Sequence, residues 1–179
     1  MKTKGLSTLQ LRKAANNLRK ILKIKPNEAI NMPNVYDKLA LLDQNFQYEV
    51  CDDANPRFRD GDEAYTDLSE EKIYIKESVW ISACEKKNSR ATFTLGHELG
   101  HFIIMCLNKF PLLDDESNKK IYEDPEWQAD TFCSEFLMPF DECRRLEPCD
   151  ISSKFNVSLM AAKTRANKIK NEILKNNVK

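Results

Sequence analysis

The chain has 179 residues and a mass of 20.8 kDa, and it is 41% hydrophobic and 31% charged. That length holds one domain with room for a small helical appendage. Four glycines and seven prolines exclude collagen-like and low-complexity architectures, and no apolar run approaches the length of a membrane-spanning helix. Residues 1–25 are basic, with no apolar stretch or small-residue cleavage site, so no signal peptide, no membrane contact and a cytoplasmic location are expected.

Ser7 to Lys23 predicts an amphipathic helix with Leu11, Ala14, Ala15, Leu18, Ile21 and Leu22 on one face. Pro33 opens a second helix running to about Leu42. Phe46, Tyr48 and Val50 alternate with polar residues and predict a strand. Asp52–Asp62, rich in Asp, Asn, Pro and Gly, predicts a loop. Two strands follow, Glu63–Thr66 and Lys72–Lys76, across a turn at Asp67–Glu71. Ile73 and Ile75 should face one way, Lys72, Tyr74 and Lys76 the other.

Ser89 caps a long helix reaching about Leu107. Residues 108–124 are acidic and predict irregular structure. Asp124-Pro125-Glu126 combines an N-cap, a first-turn proline and an acid at the positive dipole end, and starts a helix to about Phe136. A short helix over Pro139–Leu146 follows. Two tightly joined helices, Asp150–Phe155 and Ser158 to about Asn176, close the chain. The expected organisation is a helical segment (1–45), a mixed α+β core (46–147) and a helix-turn-helix-like segment (148–179) packed on that core.

The net charge is zero but uneven. Residues 1–25 carry eight Lys/Arg and no acid; residues 154–179 carry seven and one acid, Glu172. The middle therefore holds a net charge of about −14. Solvated faces of terminal helices account for the basic ends more simply than nucleic-acid binding does. The six cysteines, at 51, 84, 106, 133, 143 and 149, form no C-x-x-C pair, so most of them read as small buried hydrophobes.

The chain's two histidines stand in His97-Glu98-Leu99-Gly100-His101. Two histidines fall four apart by chance about 1% of the time, and about 0.1% with glutamate after the first. On a helix, residues i and i+4 differ by about 40° and rise about 6 Å. Both imidazoles then leave one face and can bind one zinc ion at 2.0–2.1 Å. Glu98 is turned by about 100°, where it can reach a water on the metal as a general base. Gly96 and Gly100 are also four apart and offer a bare stripe for close packing.

A catalytic zinc needs a third protein ligand, here a carboxylate or cysteine. Glu126 is the best candidate; an acid serving only the helix dipole is an equal reading of the same residue. Asp130, one turn on, can accept the free N–H of a ligand histidine. Cys133 continues that face, but buried packing explains it better.

Arg90-Ala91-Thr92-Phe93-Thr94-Leu95-Gly96-His97-Glu98-Leu99-Gly100-His101, Glu126-Trp127-Gln128-Ala129-Asp130-Thr131-Phe132 and Phe136-Leu137-Met138-Pro139 together resemble the ImmA/IrrE family of zinc metallopeptidases. Phe155-Asn156-Val157-Ser158, with Arg165, is similar to that family's helix-turn-helix tail. The chain departs from the pattern at Gly96 and Cys133, where alanine is common, and at Phe136, where leucine is.

The resemblance, over about 64–170, implies a zincin-like α+β fold with a small, mostly antiparallel sheet against two crossed helices. It implies zinc on His97, His101 and Glu126, with Glu98 as base. It also implies a substrate cleft along the sheet edge, here expected at Lys72–Lys76. The implied partner is a helix-turn-helix repressor of the Xre type, or an antitoxin, in a phage, mobile-element, stress or toxin–antitoxin setting.

Tyr65, Tyr74, Tyr122 and Arg90 are candidate donors to the oxyanion of amide hydrolysis. The rival readings are a DNA-binding regulator, disfavoured by the apolar start Ser158-Leu159-Met160-Ala161-Ala162 of the last helix, and a zinc-stabilised module that binds its partner without cutting it.

Overall fold

A computed structural model describes residues 5–85, 88–109 and 124–177. It is an α+β structure with a zincin-like arrangement of one small sheet against helices. The helices are α1 (Thr8–Ile21), α2 (Met32–Leu42), α3 (Glu77–Cys84), α4 (Ser89–Lys109), α5 (Pro125–Leu137), α6 (Phe140–Cys143), α7 (Pro148–Phe155) and α8 (Leu159–Asn177). The strands are β1 (Gln47–Cys51), β2 (Ala64–Asp67) and β3 (Lys72–Lys76).

Local chemistry sets most of these boundaries. Ser7 and Gln10 form a reciprocal capping box at the start of α1. The Asp124 carboxylate accepts from the Glu126 N–H at 3.0 Å and Pro125 occupies the first turn of α5. Asn156, at φ 52°, ends α7 in the left-handed region that asparagine tolerates. The segment 110–123, predicted as irregular, lies outside the described residues.

The sheet has the order β1-β3-β2, with β1 parallel and β2 antiparallel to β3. It is therefore mixed, and β3 is its central strand. The expectation that Lys72–Lys76 offers a free edge is corrected: both its edges are paired, and β2 is the edge strand over α4. Ile73 and Ile75 are fully buried, as alternation predicts. Tyr74 is also buried, at 2% exposure. Its ring stacks on Tyr65 at 5.3 Å, Arg57 lies over it at 4.6 Å, and its hydroxyl pairs with Glu70. Arg57 belongs to the 52–62 loop, which folds back over this face.

Helix α3 has no counterpart in the sequence reading. Its eight residues bury Val79 and Ala83 one turn apart, but Ile81 stays half exposed, so no clean apolar stripe marks it. In α1, Leu11, Ala15, Leu18 and Leu22 are buried as expected, while Ile21 is 63% exposed and Arg19 is buried in its stead. The Arg19 guanidinium donates to the carbonyls of Phe136, Lys25 and Glu28. Such carbonyls satisfy its charge where apolar packing could not.

Helices α4 and α5 approach closely through the glycines of α4. A Cβ on Gly100 would sit 2.9 Å from the Ala129 carbonyl oxygen and 3.0 Å from its Cα. A Cβ on Gly96 would sit 2.7 Å from the Cys133 sulfur. The bare stripe on α4 thus receives Ala129 and Cys133, themselves four apart on α5. Two of the three departures from the family pattern compensate one another: a smaller residue at 96 makes room for a larger one at 133.

At the other end of α5, Glu135 is 1% exposed and accepts two bonds from Arg165 of α8, at 2.9 and 2.6 Å, and two from Arg12 of α1. Removing one partner of such a buried group typically costs about 3–5 kcal/mol. Three of the terminal arginines (12, 19 and 165) are thus turned inward. Ile151, Phe155, Val157 and Ala162 carry the hydrophobic core into the last two helices.

Replacing Gly100 with alanine should destabilise the fold by about 1–3 kcal/mol in denaturant titration, because backbone atoms cannot move aside. This loss should occur although alanine favours a helix interior by about 1 kcal/mol. For the second contact, a double-mutant cycle of Gly96→Ala and Cys133→Ala should show coupling of about 1–2 kcal/mol, with alanine at 96 better tolerated when alanine stands at 133. Additive effects would contradict the steric pairing.

Candidate metal centre

Helix α4 places His97 and His101 on one face, with Nε2 atoms 3.0 Å apart. Glu126, in the first turn of α5, projects between them. Its oxygens lie 3.2 Å from His97 Nε2 and 3.4 Å from His101 Nε2. Among the described residues, these three form the group that could hold a metal ion. Ligand atoms of a tetrahedral ion at 2.0–2.1 Å are about 3.3–3.4 Å apart. The observed separations are close to that spacing.

The donor chemistry agrees. His97 Nδ1 lies 2.8 Å from the Asp130 carboxylate, which fixes its proton there as a donor. A neutral His97 then presents a lone pair from Nε2 toward the lone pairs of His101 and a Glu126 oxygen. Such converging acceptors suit a cation between them. Asp130, hydrogen-bonded by His97, is held below the usual carboxyl range. Burial and the neighbouring His97 charge lower His101. Burial alone would lower His97 too, but the bond to Asp130 and the surrounding carboxylates outweigh it. The residues present therefore fit a metal ion.

Glu98 lies toward β2 in the same cleft as the metal group and is 8% exposed. Burial pushes its carboxyl up to about 7, against the opposing effects of a hydrogen bond from Thr66 and the His97 charge. The Thr66 hydroxyl lies 2.7 Å from Glu98 Oε2 and 3.1 Å from the Glu98 backbone carbonyl. Thr66 thus ties the edge strand to the carboxylate. A threonine 32 residues away in sequence carries no local signal of this, and sequence reasoning passed over it.

Strand β2 borders a cleft of about 460 Å³ that includes Ala64, Thr66, His97, Glu98, His101 and Glu126. The Lys76 N–H donates to the Glu63 carbonyl at 3.1 Å. Alternate pairs are hydrogen-bonded in an antiparallel ladder, so the backbone groups of Ala64 and Thr66 point to the free edge. Glu63 anchors the strand's start, accepting from Thr94 at 2.7 Å and pairing with Arg90 at 2.6 Å.

The other candidates fall elsewhere. Cys133 is fully buried against α4, its sulfur 3.6 Å from the Phe93 carbonyl, away from the metal group. Tyr74 is engaged with Glu70 on the opposite face of the sheet; Tyr65, stacked on it, also lines the cleft that holds His97, Glu98, His101 and Glu126. Tyr122 lies outside the described residues. Replacing Glu126 with alanine should lower metal affinity at least about tenfold, read as metal per chain against a graded chelator. Unchanged stoichiometry would remove Glu126 from the ligand set.

No curated protein matches the chain. The family model of the IrrE N-terminal-like domain, peptidase M78, matches residues 53–167, a span containing both the histidine pair and the Glu126–Asp130 turn. With well over half its length matched, the chain belongs to the M78 family of metallopeptidases.

Proposed function

We propose that the chain is a zinc-dependent endopeptidase that cuts a partner transcriptional repressor of the helix-turn-helix type in the cytoplasm. The convergence of His97, His101 and Glu126 at metal-ligand spacing, with the Glu98 carboxylate beside them, carries the peptidase reading. The repressor rests on the family resemblance. Among the described residues no helix is long and apolar enough to cross a membrane, in keeping with a substrate in solution.

His97, His101 and Glu126 would hold the ion, and Asp130 orients the His97 ring through Nδ1. When bound, zinc supplies Lewis acidity, acidifying water and polarising the scissile carbonyl. The Glu98 carboxylate takes a proton from the attacking water as oxygen adds to the carbonyl carbon. It then delivers that proton to the amine as the carbon–nitrogen bond breaks. Thr66 holds Glu98 during both transfers. The substrate backbone can pair with the free edge of β2 at Ala64 and Thr66 and lie extended over α4.

The inward-facing Arg12, Arg19 and Arg165 favour this reading over a DNA-binding regulator, because they are structural ties and not available to phosphates. Glu98→Gln should keep its zinc, measured by elemental analysis, and lose about a hundredfold or more in hydrolysis of the repressor. Full activity in that variant would reject the base, and activity that survives complete chelation would reject the metallopeptidase.

A further inference from the structure

Side chains alternate along β2, so Ala64 and Thr66 share its inner face, toward α4, and Tyr65 and Asp67 take the outer one. Thr66 stands opposite Ile73, which is fully buried. A valine would suit the strand and that apolar neighbour as well as a threonine does. The hydroxyl has a different use, because a polar group on an inner face is costly unless it is bonded. Both of its acceptors belong to Glu98: Oε2 at 2.7 Å and the backbone carbonyl oxygen at 3.1 Å. No side chain among the described residues bonds Oε1. Thr66 and Glu98 line the cleft together with His97, His101 and Glu126.

We propose that Thr66 is a positioning residue that divides the work of the base between its two oxygens: the hydroxyl pins Oε2 of Glu98, and Oε1 carries the proton. The inference rests on the peptidase reading and deepens it. A carboxylate turns about its Cγ–Cδ bond, so fixing one oxygen stops the rotation and aims the other. A hydroxyl bonded to an ionised carboxylate is among the stronger hydrogen bonds and can hold that aim. Oε1 takes a proton from water as the water oxygen adds to the scissile carbonyl carbon. It gives the same proton to the amine nitrogen as the carbon–nitrogen bond breaks. Glu98 is thus anionic before the first transfer, neutral between the two, and anionic again after the second. The hydroxyl has one proton to donate and two acceptors within reach. While Glu98 is neutral and Oε2 a weaker acceptor, the backbone carbonyl remains available, so Thr66 stays attached to α4 in both proton states. The strand that borders the cleft thereby aims the base, at a place where a misplacement of about 1 Å costs about a hundredfold in rate.

The test uses the zinc-loaded full chain and a library of random dodecapeptides, with kinetics measured on the peptide cut fastest. Thr66→Val, which keeps the shape and the main chain, should lower kcat at least about tenfold with KM within about twofold of wild type. Its zinc content and melting temperature should be unchanged. Thr66→Ser, which keeps the hydroxyl and loses the methyl, should stay within about threefold of the wild-type kcat. In a Glu98→Gln background, Thr66→Val should bring no further fall, because the base that it aims is already gone. Crystals of the metal-free chain read the tether without any turnover. Glu98 should hold one rotamer, with Oε2 on the hydroxyl, in the wild type and in Thr66→Ser, and more than one in Thr66→Val. A wild-type kcat in Thr66→Val, a serine variant as slow as the valine one, or equal falls in both backgrounds overturns this inference and leaves the peptidase reading standing. A wild type that cuts no peptide overturns both.

Discussion

The contact between α4 and α5 at Gly100 and Ala129 is the constraint on which the site depends. The histidines sit on one helix and Glu126 and Asp130 on the other, with no chain connection shorter than 24 residues between His101 and Glu126. Only near-contact of the two backbones brings the carboxylate within 3.2–3.4 Å of both imidazoles. A glycine inside a helix normally costs about 1 kcal/mol against alanine. Here its lack of a Cβ is what lets the Ala129 carbonyl approach. Gly96 and Cys133 repeat the arrangement one turn away, with a sulfur in place of a carbonyl.

Helix α5 is held at both ends by different physics. Its N-terminal turn is exposed, capped by Asp124, and carries Glu126 toward the histidines. Its C-terminal turn is buried and ionic, with Glu135 clamped by Arg12 and Arg165 from the two terminal helices. The terminal segments thus brace the helix that supplies one metal ligand. Their three arginines, 12, 19 and 165, are therefore consumed inside the molecule as structural ties.

The site was more legible in the sequence than the sheet was. The His97–His101 spacing and the Asp124-Pro125 start are local: helix geometry and capping chemistry decide them within a turn. Whether Glu126 is a ligand or merely an acid at a helix start is not local, and the sequence left those readings balanced until α5 was seen against α4. Strand order was illegible for the same reason. The parallel pairing of Gln47–Cys51 with Lys72–Lys76 spans an intervening strand, so β3 lies centrally and not at the edge. Tyr74 obeys the alternation yet is buried, because a loop covers its face. Helix α3 and the Thr66–Glu98 bond escaped because neither leaves a periodic mark.

The central claim is that two imidazoles and the Glu126 carboxylate close on one cation. Crystals grown with zinc and measured at the zinc absorption edge test it most directly. The account predicts one anomalous peak per chain, about 2.0–2.2 Å from His97 Nε2, His101 Nε2 and a Glu126 oxygen. A peak bound elsewhere, or one at the histidines with Glu126 turned away and no other protein group in its place, would contradict it.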